Sequence, residues 1–333
     1  MRLAKTRFPS DSERRRSMNL AAQSGTVDSS QSAPMTGYLH PGYAASLSEF
    51  GEPTFMPNCR GWILSREIPN TCYRDAMGCY PLFCCQNWSS LRWDLERFGS
   101  DLVSVALVTG PFGEYTVRDL QNTFDVVIPF KFHFIIDLTS PGRSISRHHH
   151  YYARRALRQL EVEVCTSPVQ FAEEWIQLYG NVIERHRLSG IKAFSASSLT
   201  RQLLVPGAVL FHALQDGKGV SAQLWFVQGD VAYSHLAASN HQGYKLRAPY
   251  ALHSSAIEYF KGKVRSLDLG GSAGVEQSEI DGLSLFKKGW GTSTRTAYFC
   301  GRVLNRAAYK QLVARHITGT PAYFPAYRAG EFS

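Results

Sequence analysis

Paired cysteines are missing from this chain. Its seven cysteines make an odd set, and Cys72, Cys79, Cys84 and Cys85 crowd together without CxxC spacing or paired histidines. A zinc centre needs ligands at defined short separations, so no metal is expected and free buried thiols are. Long apolar runs are missing too. Nothing approaches the roughly 18 apolar residues of a membrane span, and the basic N-terminus lacks the apolar stretch of a secretory signal. These absences predict a cytoplasmic protein that does not cross a membrane. No 20–50-residue repeat shows, which argues against solenoids and propellers.

What is present is globular: 333 residues, 44% hydrophobic and 12% aromatic. The net charge of +9 is unevenly placed. Arg2, Lys5, Arg7, Arg14, Arg15 and Arg16 face only Asp11 and Glu13 within the first sixteen residues, leaving a mild excess over the rest. That excess suits an anionic ligand such as a nucleotide, a phosphate or RNA. No DNA partner is expected.

Residues 1–50 are rich in Ser, Gly, Arg and Gln without a sustained apolar period and read as a flexible basic leader. Packing material begins near Pro57. "DLVSVALVTGPF" reads as a strand, and "FDVVIPFKFHFIIDL" as a second β-type segment interrupted by Pro129, with Phe132, Phe134 and Ile136 on one face. In "SPVQFAEEWIQLYGNVIERHR", Phe171, Trp175, Leu178, Tyr179 and Val182 recur at helical spacing behind Pro168. Three β-rich runs then follow, joined by short Gly-containing links, as antiparallel hairpins require. From 145 to 304 the order is helix, strand, helix, three antiparallel strands, helix, strand, short helix, strand. A doubly wound nucleotide fold would alternate strand and helix, so the order predicts an α+β fold.

The segments "RHHHYYARRALRQLEVEV", "AYSHLAASNHQGYKLRAPYALHSSAIEYF", "LDLGG" and "GLSLFKKGWGT" together resemble the FemAB-like (CelD-type) branch of the GNAT acyltransferase superfamily. That branch shows an Arg-rich helix before a strand, a Pro-started helix after the fourth strand, an aspartate–glycine strand end and a Phe-Lys-x-Gly-aromatic-Gly segment. The resemblance implies a mixed, mostly antiparallel twisted sheet flanked by helices, in two lobes. Residues 51–134 would form a reduced N-terminal lobe, 135–310 the acyltransferase domain and 311–333 a C-terminal tail.

Acyl transfer to an amine needs a slot for the donor carbonyl, a cation or dipole for the developing oxyanion and a route for the amine proton. In the GNAT fold, the resemblance implies, the fourth and fifth strands splay apart and the next helix turns its N-terminus to a pyrophosphate. Gly243, Tyr244, Lys245 and Arg247 precede that helix here, although the segment holds one glycine where the family's Q/R-x-x-G-x-G/A holds two. An exposed basic loop would read the same way. Asp268 ends a strand, with its carboxylate expected at the mouth of the splay, and Phe286 and Lys287 occupy the family's Phe-Lys pair beside the reacting carbonyl. Lys287 and Lys288 also suit a solvated helix end, and Phe286 and Trp290 suit core packing. His235 is a candidate proton relay or a hydrogen-bonded core histidine. Tyr233, Glu276 and Trp290 are candidates for acceptor binding, Glu276 within an acidic loop that also holds Glu279 and Asp281. His148, His149 and His150, about 100° apart on a helix, cannot converge on one metal.

No Cys-His or Ser-His-Asp arrangement can be picked out from spacing, which favours direct attack in a ternary complex over an acyl-enzyme. The expectation is an N-acyltransferase with acyl-coenzyme A as donor and a small amine, amino sugar or envelope precursor as acceptor. Two alternatives stay open: an aminoacyltransferase using charged tRNA and a peptidoglycan precursor, and a non-catalytic scaffold for an envelope-biosynthesis partner.

Overall fold

The structure, a computed structural model, describes residues 34–99, 101–140, 145–272, 282–316 and 323–331. Its strands are β1 (Glu52–Met56), β2 (Gly61–Glu67), β3 (Arg74–Gly78), β4 (Ser104–Val108), β5 (Val126–Asp137), β6 (Glu161–Cys165), β7 (Ala208–Gln215), β8 (Lys218–Gln228), β9 (Val231–Ser239), β10 (Ser266–Asp268) and β11 (Ser293–Val303). They join in one sheet in the order β1-β2-β3-β4-β11-β5-β10-β9-β8-β7-β6. Neighbours run antiparallel except β3 with β4 and β9 with β10. The α+β, mostly antiparallel architecture expected from the sequence is therefore present.

The helices are α1 (Pro41–Ser46), α2 (Leu91–Phe98), α3 (Val117–Thr123), α4 (Arg147–Leu157), α5 (Ala172–His186), α6 (Ala196–Leu203), α7 (His241–Lys245), α8 (Ala248–Phe260), α9 (Gly282–Lys288) and α10 (Arg306–His316). They cover both faces of the sheet. On one face α1, α5 and α6 bury Tyr43, Trp175, Leu178 and Leu199 against Leu224, Phe226 and Tyr233. On the other, α4 and α8 bury Ala153, Ala156, Leu252 and Phe260 against Trp225, Leu267 and Trp290. Each large side chain so enclosed contributes about 1.5–3 kcal/mol.

Three expectations change. Residues 35–50 belong to the folded unit that spans 35–333. Tyr38, Tyr43 and Leu47 are core residues, so the flexible leader expected over 1–50 does not extend to them. Pro129 does not interrupt β5. Register slips there, Ala297 facing Lys131 and Tyr298 facing Pro129, and the bulge at Phe130 accommodates a residue that cannot donate to the ladder. Finally, 311–333 is not a bare tail. α10 runs through position 310, and Arg328 donates to both oxygens of the fully buried Asp75 carboxylate on β3.

Candidate active site

Strands β9 and β10 pair over three residues only, Val231–Tyr233 with Ser266–Asp268. Strand β9 continues to Ser239, while the chain after Asp268 peels towards β5: Leu269 N–H donates to Phe134 O and Phe134 N–H to Gly270 O. Between β8 and β9 the register slips, so Trp225 faces Ser234, Leu224 faces Leu236 and His235 has no opposite number. A bulge of this kind kinks its strand and increases its local twist. Main-chain groups of Ser234–Ser239 thus lack a β10 partner, and Ala237 is exposed at the opening. Unpaired backbone donors and acceptors can grip a ligand's carbonyl or amide.

The exit of β10 gathers the polar side chains. Lys287, near the end of α9, donates from Nζ to Gly271 O at 2.6 Å, and Lys131 on β5 donates to Ser272 O at 2.9 Å. A Cβ on Gly270 would sit 3.1 Å from Lys287 Nζ. Asp268, 1% exposed, does not stand open at the mouth. Both its oxygens lie 2.9 Å from His133 Nδ1, and Oδ1 also accepts the Gly270 N–H at 2.7 Å. A carboxylate only accepts, so Nδ1 carries hydrogen and Nε2 faces elsewhere. Sequence reasoning missed His133. The available signal was a lone histidine on the face of "KFHFIID" opposite Phe132 and Phe134.

Around α9 the Phe-Lys-Lys-Gly-Trp-Gly run builds an aromatic box. Phe286 packs on His149, Tyr250 and His253 with ring centroids 4.8–5.6 Å apart. Trp290, 1% exposed, stacks on His253 and is core. Gly289 is required because any Cβ there would overlap the His149 ring, at 2.0 Å from Cε1. His149 Nε2 donates to Phe286 O and Nδ1 accepts from Ser146, and burial lowers its pKa, so the ring is neutral. Burial likewise pushes His253 down to about 3, with the Lys287 charge a smaller contribution in the same direction. Its Nδ1 donates to Pro249 O. Gln223, opposite Ala237, donates to Ser234 Oγ, while its buried Oε1 has no partner among the described residues.

His235 lies on the opposite face of the sheet and is a structural residue. Gln202 Oε1 can only accept, so His235 Nε2 carries the hydrogen and Nδ1 accepts from Tyr38 OH. Both nitrogens are used, and burial pushes its pKa down to about 3. This environment leaves no free nitrogen for proton relay. Tyr233, also on this face, is buried against Phe112 and borders a cavity of about 150 Å³ with Cys84, Trp88 and Gln228. Burial raises Cys79 and Cys84 to about 12, so these thiols stay neutral and are poor nucleophiles.

The loop before α8 is built differently from expectation. Gly243 N–H is taken by Asn240 Oδ1, which caps α7. A Cβ at 243 would lie 2.2 Å from Val220 O, so this glycine serves packing of α7 on β8. Tyr244 lies under the Arg185 guanidinium and Arg247 over Tyr152. Lys245 and Arg247 are exposed beside the first turn of α8, which has no side-chain cap. Glu276, Glu279 and Asp281 lie outside the described residues. Among the described residues no group of three or more His, Cys, Asp or Glu is placed to hold a metal.

Residues 144–278 match the family model described as an acetyltransferase (GNAT) domain. No curated protein matches the chain. Among solved structures the chain is similar to FemX (14% identity, 81% of this chain and 93% of that one, TM-score 0.59). It is also similar to the C-terminal domain of a proposed lysylphosphatidylglycerol synthetase from Agrobacterium fabrum (16%, 80% and 88%, 0.57). A third similar structure is L-PGS from Bacillus licheniformis (13%, 86% and 100%, 0.54). At these identities the likeness is one of fold. The strand splay, its bulge and the helix that follows lie inside or beside the matched segment, and the chain thus carries a GNAT acetyltransferase domain and is an acyltransferase.

Proposed function

We propose that this protein is a FemAB-like N-acyltransferase that moves an acyl group from acyl-coenzyme A to an amine by direct attack in a ternary complex. The observation that carries this reading is the opening between β9 and β10 with the Lys287 ammonium at its edge. A donor carbonyl laid along Ser234–Ser239 meets main-chain groups, and Lys287 is the cation assigned to its oxygen. One well-aimed donor to the developing oxyanion stabilises the transition state by about 3–4 kcal/mol. Lys245 and Arg247, with the uncapped start of α8, favour the donor's phosphates. Phe286 and Tyr250 wall the donor side, and neutral Cys84 supports direct transfer over a thiol intermediate. The acceptor is a small amine, amino sugar or envelope precursor reaching the opening from the Tyr233 face, and the protein works in the cytoplasm.

A second reading takes an aminoacyl group from charged tRNA. It is favoured by the exposed Arg147, Arg154, Arg155 and Arg158 on and just after α4, which packs on α8. Thermal shift with acetyl-coenzyme A, longer acyl-coenzyme A and charged tRNA separates the two, since a ligand of the folded state raises Tm by mass action. Stabilisation by an acyl-coenzyme A supports the first reading, and by charged tRNA alone the second. No response to any donor removes both and leaves a non-catalytic scaffold.

A further inference from the structure

An amine is an ammonium at neutral pH, and its nitrogen attacks a carbonyl only after losing a proton. The neutral amine must lose a second proton as the amide forms, and some group at the β10 exit must accept it. Most titratable groups around the exit are already committed. His149 uses Nδ1 on Ser146 and Nε2 on Phe286 O, His253 uses Nδ1 on Pro249 O and Nε2 on the Gln223 amide, and His235 uses Nδ1 on Tyr38 and Nε2 on Gln202. Lys287 and Lys131 are donors to carbonyls.

His133 differs. Asp268 fixes its Nδ1, and its Nε2 has no partner among the described residues. Its Cδ2, bonded to Nε2, lies 3.5 Å from where a Cβ on Gly271 would be. That edge of the ring therefore faces the Gly270–Gly271 turn, the turn whose carbonyl holds Lys287. A closed circuit of neighbours surrounds the pair. Tyr233 is the register partner of Asp268, Phe112 packs on Tyr233, Arg295 lies over Phe112, and Arg295 is the register partner of His133. Tyr233 and Phe112 also border the 150 Å³ cavity.

We infer that His133, oriented by Asp268, is the general base of the transfer, taking the acceptor's proton on Nε2. This rests on the acyltransferase reading above. The acceptor, having given its ammonium proton to water, attacks as the neutral amine, and its second proton passes to His133 Nε2 as the N–C bond forms at the donor carbonyl. The tetrahedral intermediate then collapses with cleavage of the C–S bond, and the imidazolium returns the proton to the leaving thiolate. Asp268 is a positioning residue in this step: it holds the tautomer that leaves Nε2 unprotonated and stabilises the imidazolium.

Two measurements test the inference. In His133→Asn the amide N–H still reaches Asp268 while the base is gone. Turnover is expected to fall by about 10²–10⁴-fold, with the thermal shift by acyl-coenzyme A unchanged and part of the activity restored by added imidazole. Turnover within twofold of the parent overturns the assignment. So does a loss that imidazole does not relieve and that comes with loss of donor binding, because His133 would then only support the fold. The second measurement needs no activity: histidine-labelled long-range ¹H–¹⁵N spectra of the full chain. The Nδ1–H tautomer is expected at His133, lost in Asp268→Asn, and an Nε2–H tautomer overturns the dyad. A parent protein inactive with every donor would strike the acyltransferase reading instead, and the spectra would still decide the arrangement of His133.

Discussion

Replacing Lys287 by methionine keeps the aliphatic stem and removes the ammonium. Its Nζ lies 2.6 Å from Gly271 O and against Gly270, at the point where β10 leaves β9. If that cation meets the oxyanion, its loss removes about 3–4 kcal/mol of transition-state stabilisation, a fall in kcat of about 10²–10³-fold. The same bond also ties the β10 exit to α9. A hydrogen bond from a charged donor contributes about 1.5–3 kcal/mol, and partial exposure of this lysine puts the expected loss at the lower end. A drop in Tm of a few degrees follows, which leaves the variant folded at assay temperature. Initial rates give kcat and KM for donor and acceptor separately, alongside Tm. An interaction made only in the transition state lowers kcat and kcat/KM equally and leaves KM alone. Lys287→Arg retains charge in a planar fork and is expected to recover part of the rate. An unchanged kcat in a folded Lys287→Met variant takes this lysine out of the chemistry.

Gly243→Ala forces a Cβ to within 2.2 Å of Val220 O. A loss of about 1–3 kcal/mol is expected in denaturant unfolding, and an unchanged midpoint would refute the packing role. Asp75→Ala leaves Arg328 and Arg66 without their buried carboxylate, with an expected loss of about 3–5 kcal/mol; Tm within two degrees of the parent would show the C-terminal segment to be dispensable. His235 and His253 are held down to about 3 in the folded chain against an ordinary 6.5. Below pH 6.5 the unfolded chain binds protons that the folded chain refuses, so stability is full above 6.5 and is lost as pH falls towards 3. The slope is on the order of 1 kcal/mol per pH unit for each histidine. Urea midpoints between pH 7 and 5 check this, and His235→Gln is expected to flatten the fall.

Local patterning was legible, and long-range pairing was not. The spacing of Trp175, Leu178 and Tyr179 gave α5, and the glycine links gave the β7–β9 meander, because those signals lie within one element or turn. Tyr38, Tyr43 and Leu47 carry no period of their own and sit among small and polar residues. Their burial comes from docking on β8, β9 and α6, which local sequence does not express. His133 shows the same limit within the candidate site. Its partner Asp268 is 135 residues away, and only the register of β5 with β10 brings the two together. At Gly243 the residue type was informative and the reason was misjudged. A glycine marks a close backbone approach, but the sequence does not say whether the approaching group is a phosphate or Val220.

The sheet also separates two charges that would interfere if they shared a face. Lys287 approaches the β10 exit from the side of α9, and on that side its field helps depress His253, although burial is the larger cause. A base placed there would have its proton affinity lowered by that cation. Across the strand the local field has the opposite sign. The Asp268 charge adds to burial in raising Tyr233 and Cys84, outweighing the opposing effect of Arg295 at Tyr233. His133 and Lys287 lie on these two sides of one glycine turn. Under the proposed chemistry, carrying the carboxylate to the α9 side by a one-residue register slip of β10 would place it beside Lys287 and leave His133 without its partner, costing the reaction both functions at once.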